Sequence, residues 1–349
     1  MYFNDLMMNK NYLFYPIYYT LMSIIVFMLS IDHHLIKWLF FEVFSLIFIS
    51  YMNYSSKNKM NSLIYFTISS FFSMLLLYII LNNFYQDFKL IITLPYDKKF
   101  SFISLLIQLI LMMKMGMFPF HNWMIYMYAS MSWKNIYIFS TLNKFISIYL
   151  MYSFTQMNWF LMLMIAINAV YSAILAMKEV SIKKIMGFSS MNQTSLLIMM
   201  AYMDFVETTI YYIVYLFNSC NLYHFFDRFN ITTKINLINM FNYNSFKIIY
   251  IIFTISFSML PLTSFFFMKW FMFQNMVFEN YNLMIFLFIL SISNVLMLWN
   301  YLNLLNYQLT PNKVSKIYKF INKKLMKSYY LYIFLSIIFN FSTIVMMFF

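Results

Sequence analysis

Apolar runs of about 20 residues, the length that crosses the hydrocarbon core of a bilayer as a helix, follow one another along almost the whole chain. Of the 349 residues, 63% are hydrophobic and 9% are charged, whereas soluble domains have about 45–50% apolar and about 25% charged residues. Too few polar side chains remain to cover a water-soluble surface. The sequence therefore predicts an all-α integral membrane protein of about eleven transmembrane helices.

The apolar runs give approximate bounds for each predicted transmembrane span. They lie near residues 14–31, 35–53, 60–82, 100–118, 134–154, 157–177, 186–203, 205–225, 246–274, 281–304 and 328–349. No internal repeat is evident, and the longest polar stretch, residues 227–244, is too short for a soluble domain. We therefore expect one transmembrane domain over residues 1–349.

The net charge of +13 comes mostly from short loops between the predicted spans. Basic clusters follow spans two, six, eight and ten, so they all lie on one side of the membrane. Because an excess of lysine and arginine marks the inner side, we expect the N-terminus to lie inside. Topology explains the charge, so no nucleic acid partner is expected, and the basic loops favour anionic lipids such as cardiolipin.

The chain has one cysteine, Cys220, and four histidines, which limits its metal and redox chemistry. A single cysteine excludes an internal disulfide, an iron–sulfur cage and a thiolate zinc site. The adjacent His33 and His34 would point about 100° apart on a helix, which is poor geometry for chelation. The motifs G-x-G-x-x-G, G-K-[ST] and H-E-x-x-H are absent from the sequence. We therefore expect neither a cofactor nor a metal in this chain.

Glu42 and Lys144 are ionisable residues deep inside predicted spans. Glu42 lies near the middle of span two, and Lys144 lies at the centre of span five, about 15 Å from either end. A charge at a helix centre costs about 2.5–3.5 kcal/mol on insertion scales, so such side chains face a bundle interior, form pairs or line water. The structural alternatives are a protonated Glu42 in one interhelical hydrogen bond and a Lys144 in a buried ion pair.

Lys114 and Lys269 lie beside residues that interrupt helices. Lys114 precedes Gly116 and Pro119, which loosen the end of span four. Lys269 follows Pro261 by eight residues inside span nine. A broken helix is tolerated where it is buried in protein or borders a water-filled cavity. The alternative for Lys269 is a position at the end of a shorter span nine, with its amine at the membrane surface.

These residue types together point to proton transfer. Burial disfavours the charged form of an amine, and a neighbouring carboxylate favours it. A lysine beside a glutamate that changes its charge can therefore take up and release a proton. His121 follows Lys114 closely in the sequence and is a candidate relay, because the ordinary pKa of histidine is about 6.5. A purely structural, hydrogen-bonded histidine is the alternative.

Five segments resemble, in order, motifs of the family of mitochondrial NADH dehydrogenase subunit 2. They are Trp38–Glu42, similar to W-x-G-L-E; Lys114–Trp123, similar to K-x-G-x-x-P-F-H-x-W; Thr141–Ile148, similar to T-x-x-K-x-x-x-x; Lys184–Ser190, similar to K-[IL]-M-A-[YF]-S-S; and Leu260–Trp270, similar to L-P-P-x-x-G-F-x-x-K-W. The resemblance covers nearly the whole chain. Departures from it include Gln193, where the family often has histidine, and Ile64, where it has a lysine. We therefore expect no relay through these two positions.

The resemblance implies an antiporter-like fold with interrupted helices, in the shortened form that lacks three N-terminal helices. It implies a proton-translocating membrane-arm subunit of respiratory complex I (NADH:ubiquinone oxidoreductase) in the mitochondrial inner membrane, with the N-terminus on the matrix side. By motif position, Glu42 and Lys114 would form the proton-uptake pair, Lys144 the central site and Lys269 the exit. NADH, FMN, iron–sulfur clusters and ubiquinone are then expected in other subunits. Neighbouring antiporter-like subunits of the membrane arm are the expected partners.

Two other functions remain open from the sequence. A cation/proton antiporter, or another antiporter-like subunit of complex I, would share the broken helices and the buried lysines. A structural subunit that has lost its path would scatter the ionisable residues over unconnected faces or close them off with aromatic side chains. A working path instead predicts gaps between them that one or two water molecules can bridge.

Overall fold

The computed structural model describes residues 14–55, 59–89, 97–240, 244–257 and 284–309, with the shorter stretches 263, 265–267, 269–270 and 273–274. Over these residues every named element is a helix, and strand geometry is confined to an isolated bridge between Ser181 and Thr233. The prediction of an all-α chain is confirmed. Predicted span eleven and Pro261 lie outside the described residues.

The chain divides into two compact units, Met1–Leu161 and Met162–Phe349. The described helices of the first unit are α1 (Phe14–Leu29), α2 (His34–Ser55), α3 (Met60–Lys89), α4 (Asp97–Met115), α5 (Asn122–Ser130), α6 (Trp133–Ser140) and α7 (Leu142–Phe154). Helix α2 packs on α1 and α3, and α4 packs on α3. Helix α7 contacts both α2 and α4. These contacts place α7 in the interior of the first unit, and residues 142–151 of α7 are all buried.

Helix α2 has one exposed face and one buried face. Leu39 and Val43 lie on an exposed face of α2, whereas Phe41, Phe44 and Phe48 are fully buried. Both faces are apolar, so hydrophobicity alone does not distinguish them. A helix that is apolar all round while one of its faces is exposed is suited to contact with lipid.

Helices α6 and α7 replace the single predicted span over residues 134–154. The interruption falls at Thr141, which has φ −108° and ψ −86°. The backbone N–H of Thr141 donates to the Tyr137 carbonyl at 3.1 Å, and the Thr141 hydroxyl donates to the same oxygen. Hydrogen bonds from a threonine side chain to the preceding turn bend helices. The prediction of one continuous helix was therefore wrong at this point, and Lys144 lies on the first turn of α7.

The second unit contains most of α8 (Trp159–Lys178), followed by α9 (Ile182–Met203), α10 (Phe205–Arg228), α11 (Lys234–Met240), α12 (Asn244–Phe257) and α13 (Met284–Leu309). Helix α10 packs on α9 and α12. Helix α13 contacts α9, α11 and α12. Helices α9, α10, α12 and α13 are therefore linked by contacts within the second unit.

Helices α8 and α9 are joined by two reciprocal hydrogen bonds. Asn168 Nδ2 donates to the Met191 carbonyl at 3.0 Å, and Asn192 Nδ2 donates to the Ala169 carbonyl at 3.1 Å. The small Ala169 allows the two backbones to approach closely. Interhelical hydrogen bonds of this kind contribute on average about 0.6 kcal/mol each in a membrane. Asn192 of α9 thus forms its hydrogen bond inside the protein.

Four described helical segments are long and apolar enough to cross a membrane: His34–Ser55, Met60–Asn82, Trp159–Lys178 and Met284–Leu304. Two shorter apolar helices are Phe14–Leu29 and Ile103–Met115. Helix α9 is less apolar, but its residues 185–201 are all buried. The chain is therefore a multi-pass membrane protein, while the exact set of eleven spans and the single domain stay predictions.

Candidate functional site

Lys114 lies on the last turn of α4 and is 1% exposed. Its Nζ lies 3.3 Å from the centroid of the Phe41 ring on α2. Among the residues that the structure describes, Nζ has no hydrogen-bond partner and no carboxylate oxygen within 4.0 Å. A desolvated cation–π contact contributes about 2 kcal/mol, whereas burying an unpaired charge costs considerably more. The aromatic contact alone therefore does not stabilise a permanently charged Lys114.

The turn after Lys114 fixes the end of α4. Gly116 has φ +67°, and its N–H donates to the Met113 carbonyl at 3.2 Å. The N–H of Met117 donates to the Met112 carbonyl at 3.0 Å, which completes a Schellman turn and satisfies the last carbonyls of α4. A Cβ at Gly116 would lie 2.7 Å from the Met124 Cβ. Both the backbone conformation and the available space therefore require glycine here, and α4 ends at Met115 rather than near residue 118.

His121 and Trp123 follow this turn at the start of α5. His121 is 9% exposed, and its Nδ1 lies 3.2 Å from the Pro119 carbonyl oxygen. Its ring stacks on Phe118 with centroids 6.4 Å apart. Trp123 Nε1 donates to the Met113 carbonyl at 3.2 Å and so ties α5 to the end of α4. These contacts give His121 a structural role, and its role as a relay stays a prediction.

Glu42 is half-buried on α2, next to the phenylalanine that contacts Lys114. Its Oε1 is buried and has no hydrogen-bond partner within the described part of the chain. Glu42 lies within electrostatic range of Lys114 on α4 and of Tyr65 on α3. The carboxylate and the amine thus interact electrostatically without forming a direct ion pair, and we call their surroundings, with Phe41, the Lys114 pocket. The alternative of a protonated Glu42 in a hydrogen bond through Oε1 finds no partner among these residues.

A buried hydrogen bond connects this pocket to the neighbourhood of Lys144. The Tyr65 hydroxyl donates to Asn143 Oδ1 at 2.8 Å, and both residues are buried. Asn143 precedes Lys144 on the first turn of α7, and Lys144 is 3% exposed. Tyr65 therefore lies between Glu42, with which it interacts electrostatically, and the turn that carries Lys144.

Aromatic packing surrounds the Tyr65 ring. Phe139 on α6 packs edge-to-face against Tyr65, Trp123 and Tyr128, with centroid distances of 5.8, 5.9 and 5.5 Å. Phe48 contacts Tyr65 edge-to-face at 5.2 Å. Offset and edge-to-face pairs of this kind contribute about 0.5–1.5 kcal/mol beyond their buried area. They hold the Tyr65 ring in one orientation, with its hydroxyl directed at Asn143.

In the second unit, Lys269 is 4% exposed and its Nζ donates to Asn294 Oδ1 on α13 at 2.8 Å. A lysine at the end of a span would instead place its amine in the aqueous interface, so that alternative does not fit the structure. Gln193 on α9 accepts a hydrogen bond from the Tyr211 hydroxyl on α10, and both residues are buried. The amide at position 193 therefore satisfies a buried tyrosine.

The family model described as NADH:quinone oxidoreductase/Mrp antiporter, transmembrane, matches residues 32–297 of the chain. NADH-ubiquinone oxidoreductase chain 2 of Apis mellifera ligustica is 32% identical over 300 residues, which cover 86% of this chain and 86% of that protein. This chain belongs to the NADH-ubiquinone oxidoreductase chain 2 family. The protein of the same name from Anopheles gambiae is 30% identical over 322 residues, covering 86% and 87% of the two chains.

Solved structures of other proteins share the fold of this chain. A chain of respiratory complex I from Thermus thermophilus matches with a TM-score of 0.73 at 15% identity, over 88% of this chain and 74% of that chain. A chain of the Mrp complex from a Dietzia species matches with a TM-score of 0.63 at 14% identity, over 79% and 57% of the chains. The predictions of an antiporter-like fold and of an antiporter-like membrane subunit of respiratory complex I are confirmed.

The structure brings some of the predicted site residues near each other. Glu42 interacts electrostatically with Lys114 and with Tyr65, and Tyr65 donates a hydrogen bond to Asn143, the residue before Lys144. Lys269 belongs to the second unit. Within the described residues, no group of three or more histidine, cysteine, aspartate or glutamate side chains could hold a metal ion.

Sequence reasoning missed Phe41, Tyr65 and Asn143. The chain contains 44 phenylalanines and 31 tyrosines, so an aromatic residue at one position carries little information about a site. Asn143 was the better signal, because a polar amide beside a lysine in an apolar run is expensive to bury without a partner. Ile64, which precedes Tyr65, is half-buried on α3 and cannot titrate.

Proposed function

We propose that this chain translocates protons across the mitochondrial inner membrane as a membrane-arm subunit of respiratory complex I, with no redox chemistry of its own. The relatives named NADH-ubiquinone oxidoreductase chain 2 and the family that includes Mrp antiporters support this assignment. The observation that carries it is the buried Lys114 Nζ, which lies on the Phe41 ring within electrostatic range of Glu42.

The first step uses the electrostatic coupling between Glu42 and Lys114. A charged Glu42 favours the protonated form of Lys114, and a protonated Glu42 removes that stabilisation. The Lys114 amine then releases its proton to an acceptor within hydrogen-bond reach or through one water molecule. The absence of a direct ion pair suits this role, because a tight buried pair resists separation.

The second step passes the proton toward Lys144. The Tyr65 hydroxyl can donate and accept hydrogen bonds at the same time, and it donates to Asn143 at 2.8 Å. We assign Tyr65 and Asn143 as positioning residues that orient water between the first pocket and the first turn of α7. Lys144 takes up the proton there.

Lys269 is the proposed exit residue, on the basis of its position in the Leu260–Trp270 motif. The acceptor of its hydrogen bond is the uncharged amide oxygen of Asn294. Because the amine carries N–H groups in both of its protonation states, it can donate this bond whether or not it is protonated.

The driving energy must come from partner subunits. Moving one charge against 100 mV requires about 2.3 kcal/mol, and the proposal assigns no redox centre to this chain. We infer that NADH, FMN, iron–sulfur clusters and ubiquinone are held by other subunits. Neighbouring antiporter-like subunits and anionic lipids such as cardiolipin complete the surroundings, with the N-terminus on the matrix side.

The decisive experiment replaces Lys144 in the assembled complex and measures the proton-to-electron ratio after reconstitution into liposomes. Lys144→Met and Lys144→Arg should both lower this ratio, because methionine cannot bind the proton and arginine cannot release it. Lys59→Met removes an exposed lysine and should leave the ratio unchanged. An unchanged ratio with Lys144→Met in a fully assembled complex would refute the proposal.

A structural subunit is the second candidate function, and the aromatic cluster around Phe139 favours it. These rings pack closely between α2, α3, α5 and α6 and could exclude the water that a path needs. The Lys144 experiment distinguishes the two functions, because in a structural subunit Lys144→Arg should keep the full proton-to-electron ratio.

A further inference from the structure

Lys37 is a second buried lysine on α2, outside the Trp38–Glu42 motif and unused by the proposed proton path. It is 5% exposed, although it lies only one turn from the start of the helix. Its Nζ lies 5.0 Å from the ring centroid of Tyr149 on α7. The amine thus points into the first unit, toward the helix that carries Lys144.

Titratable residues connect Lys37 to the surface at which α2 begins. Asp32, His33 and His34 are all exposed. Asp32 lies within electrostatic range of both Lys37 and Tyr149, and His34 lies within range of Lys37. An exposed acid and exposed imidazoles therefore precede a buried amine along one short segment.

The face of α2 that carries Lys37 also carries Phe41, which contacts Lys114. Lys37 and Phe41 are four residues apart and so share one face of α2, with a rise of about 6 Å between them. Side chains on a helix lean toward its N-terminus, so the Phe41 ring leans toward the turn that carries Lys37. The same ring contacts Lys114 Nζ at 3.3 Å.

A snorkelling lysine is the simplest alternative. Snorkelling places the ammonium in water and leaves only the stem on apolar surface. Lys37 is 5% exposed and contacts the Tyr149 ring, and the next residue, Trp38, anchors this turn by donating to the Ser73 carbonyl on α3 at 3.0 Å. The Lys37 amine keeps some exposure to solvent, so snorkelling and proton exchange differ in whether the amine must release its proton.

We propose that Lys37 is a proton-exchange site between the aqueous phase at the start of α2 and the Glu42–Lys114 pocket, which rests on the proposed function above. A proton from water passes through Asp32 or His34 to the Lys37 amine. An N–H bond of the resulting ammonium then breaks, and the proton moves through water to the unprotonated Lys114 amine. One proton is lost and one is gained at each step, and the Tyr149 ring stabilises the charged intermediate.

The test compares three variants of the whole complex in liposomes. Lys37→Met and Lys37→Arg should each lose the share of protons that this chain translocates. Arginine keeps the charge and the aromatic contact but cannot release its proton. The matched control is Lys134→Met, because Lys134 also lies on the first turn of a helix and over an aromatic ring, with its Nζ 5.8 Å from the Phe14 centroid. This control should keep the full proton-to-electron ratio.

A full ratio with Lys37→Arg would make Lys37 a structural cation and overturn the proposal. If both Lys37 variants keep the ratio while Lys144→Met lowers it, the proposed function stands and this inference fails. If Lys144→Met also keeps the ratio, the proposed function fails with it.

A second measurement does not depend on pumping or on the methionine variant. Cys220 is the single cysteine of the chain, so Lys37→Cys in a Cys220→Ser background gives one reactive thiol on this chain. A membrane-impermeant cationic thiol reagent should label it from one side of the membrane only. No labelling from either side would show that water does not reach this position, which contradicts the proposal.

Discussion

In the first unit, the half-buried Glu42 and the buried Lys114 each have a buried side-chain atom without a hydrogen-bond partner within the described residues. In the second unit, Tyr211 donates to Gln193, and Lys269 donates to an amide on α13. A buried polar atom without a partner costs about 1–3 kcal/mol, so each such atom requires an explanation. The described part of the second unit also holds buried amide atoms without a partner, such as Asn294 Nδ2, so the two units differ in their lysines: the Lys114 amine lacks the hydrogen-bond partner that the Lys269 amine has. The proposed function accounts for this difference by a change of charge near Glu42.

The largest effect is expected from Glu42→Gln, which removes the charge and keeps the shape of the side chain. Without a carboxylate that changes its charge, Lys114 loses the partner that drives its proton uptake and release. Removing a positioned acid or base typically slows proton transfer by about 10²-fold or more. The proton-to-electron ratio of the reconstituted complex should therefore fall as far as it does with Lys144→Met.

Glu207→Gln is the matched control, because Glu207 lies on the first turn of α10 in the second unit. It should leave the ratio unchanged. A normal ratio with Glu42→Gln, combined with a low one for Lys114→Met, would mean that the lysine works without the glutamate.

The next prediction concerns the stability of the turn that holds Lys114. Gly116→Ala should cost about 1–2 kcal/mol for the left-handed conformation and about 1–3 kcal/mol for the overpacked contact with Met124. Asn192→Ala in the second unit should cost only about 0.6 kcal/mol. The melting temperature of the purified complex should thus fall more with the first variant than with the second.

Gly116→Asn separates the two causes of this instability. Asparagine adopts the left-handed conformation more readily than alanine, but it is larger. If backbone strain dominates, Asn will be better tolerated than Ala; if the contact with Met124 dominates, it will be worse. An Ala variant as stable as the natural protein would contradict both.

The sequence was sufficient to single out Glu42, Lys114 and Lys144 as ionisable residues inside apolar helices, because a charge inside an apolar run is rare and costly. It was insufficient to find Tyr65 or Phe41, because aromatic residues make up 23% of this chain and most of them pack against lipid or each other. Only the three-dimensional arrangement shows which tyrosine hydroxyl meets an asparagine. The cost of burying a charge draws attention to that residue in the sequence, whereas the role of an aromatic residue depends on its neighbours in the structure.

Two helix interruptions also differ in how well the sequence predicts them. Gly116 marked the interruption of span four, since glycine is the usual residue where a helix ends in a left-handed turn. Thr141 gave no comparable signal, because threonine is only mildly unfavourable inside helices. Its effect depends on the hydroxyl hydrogen bond to Tyr137, which is a choice of rotamer and cannot be read from residue type.

The last test compares the same substitution in each unit. Tyr65→Phe removes the donor to Asn143, and Tyr211→Phe removes the donor to Gln193. Each leaves one buried amide oxygen without its partner, so each should cost only about 1 kcal/mol of stability. On the proposed function, their effects on pumping should differ, because Tyr65 is assigned to orient water between Glu42 and the turn of Lys144, whereas Tyr211 has no assigned step. Tyr65→Phe should lower the proton-to-electron ratio and Tyr211→Phe should leave it unchanged, while equal ratios in the two variants would remove the functional distinction between the units.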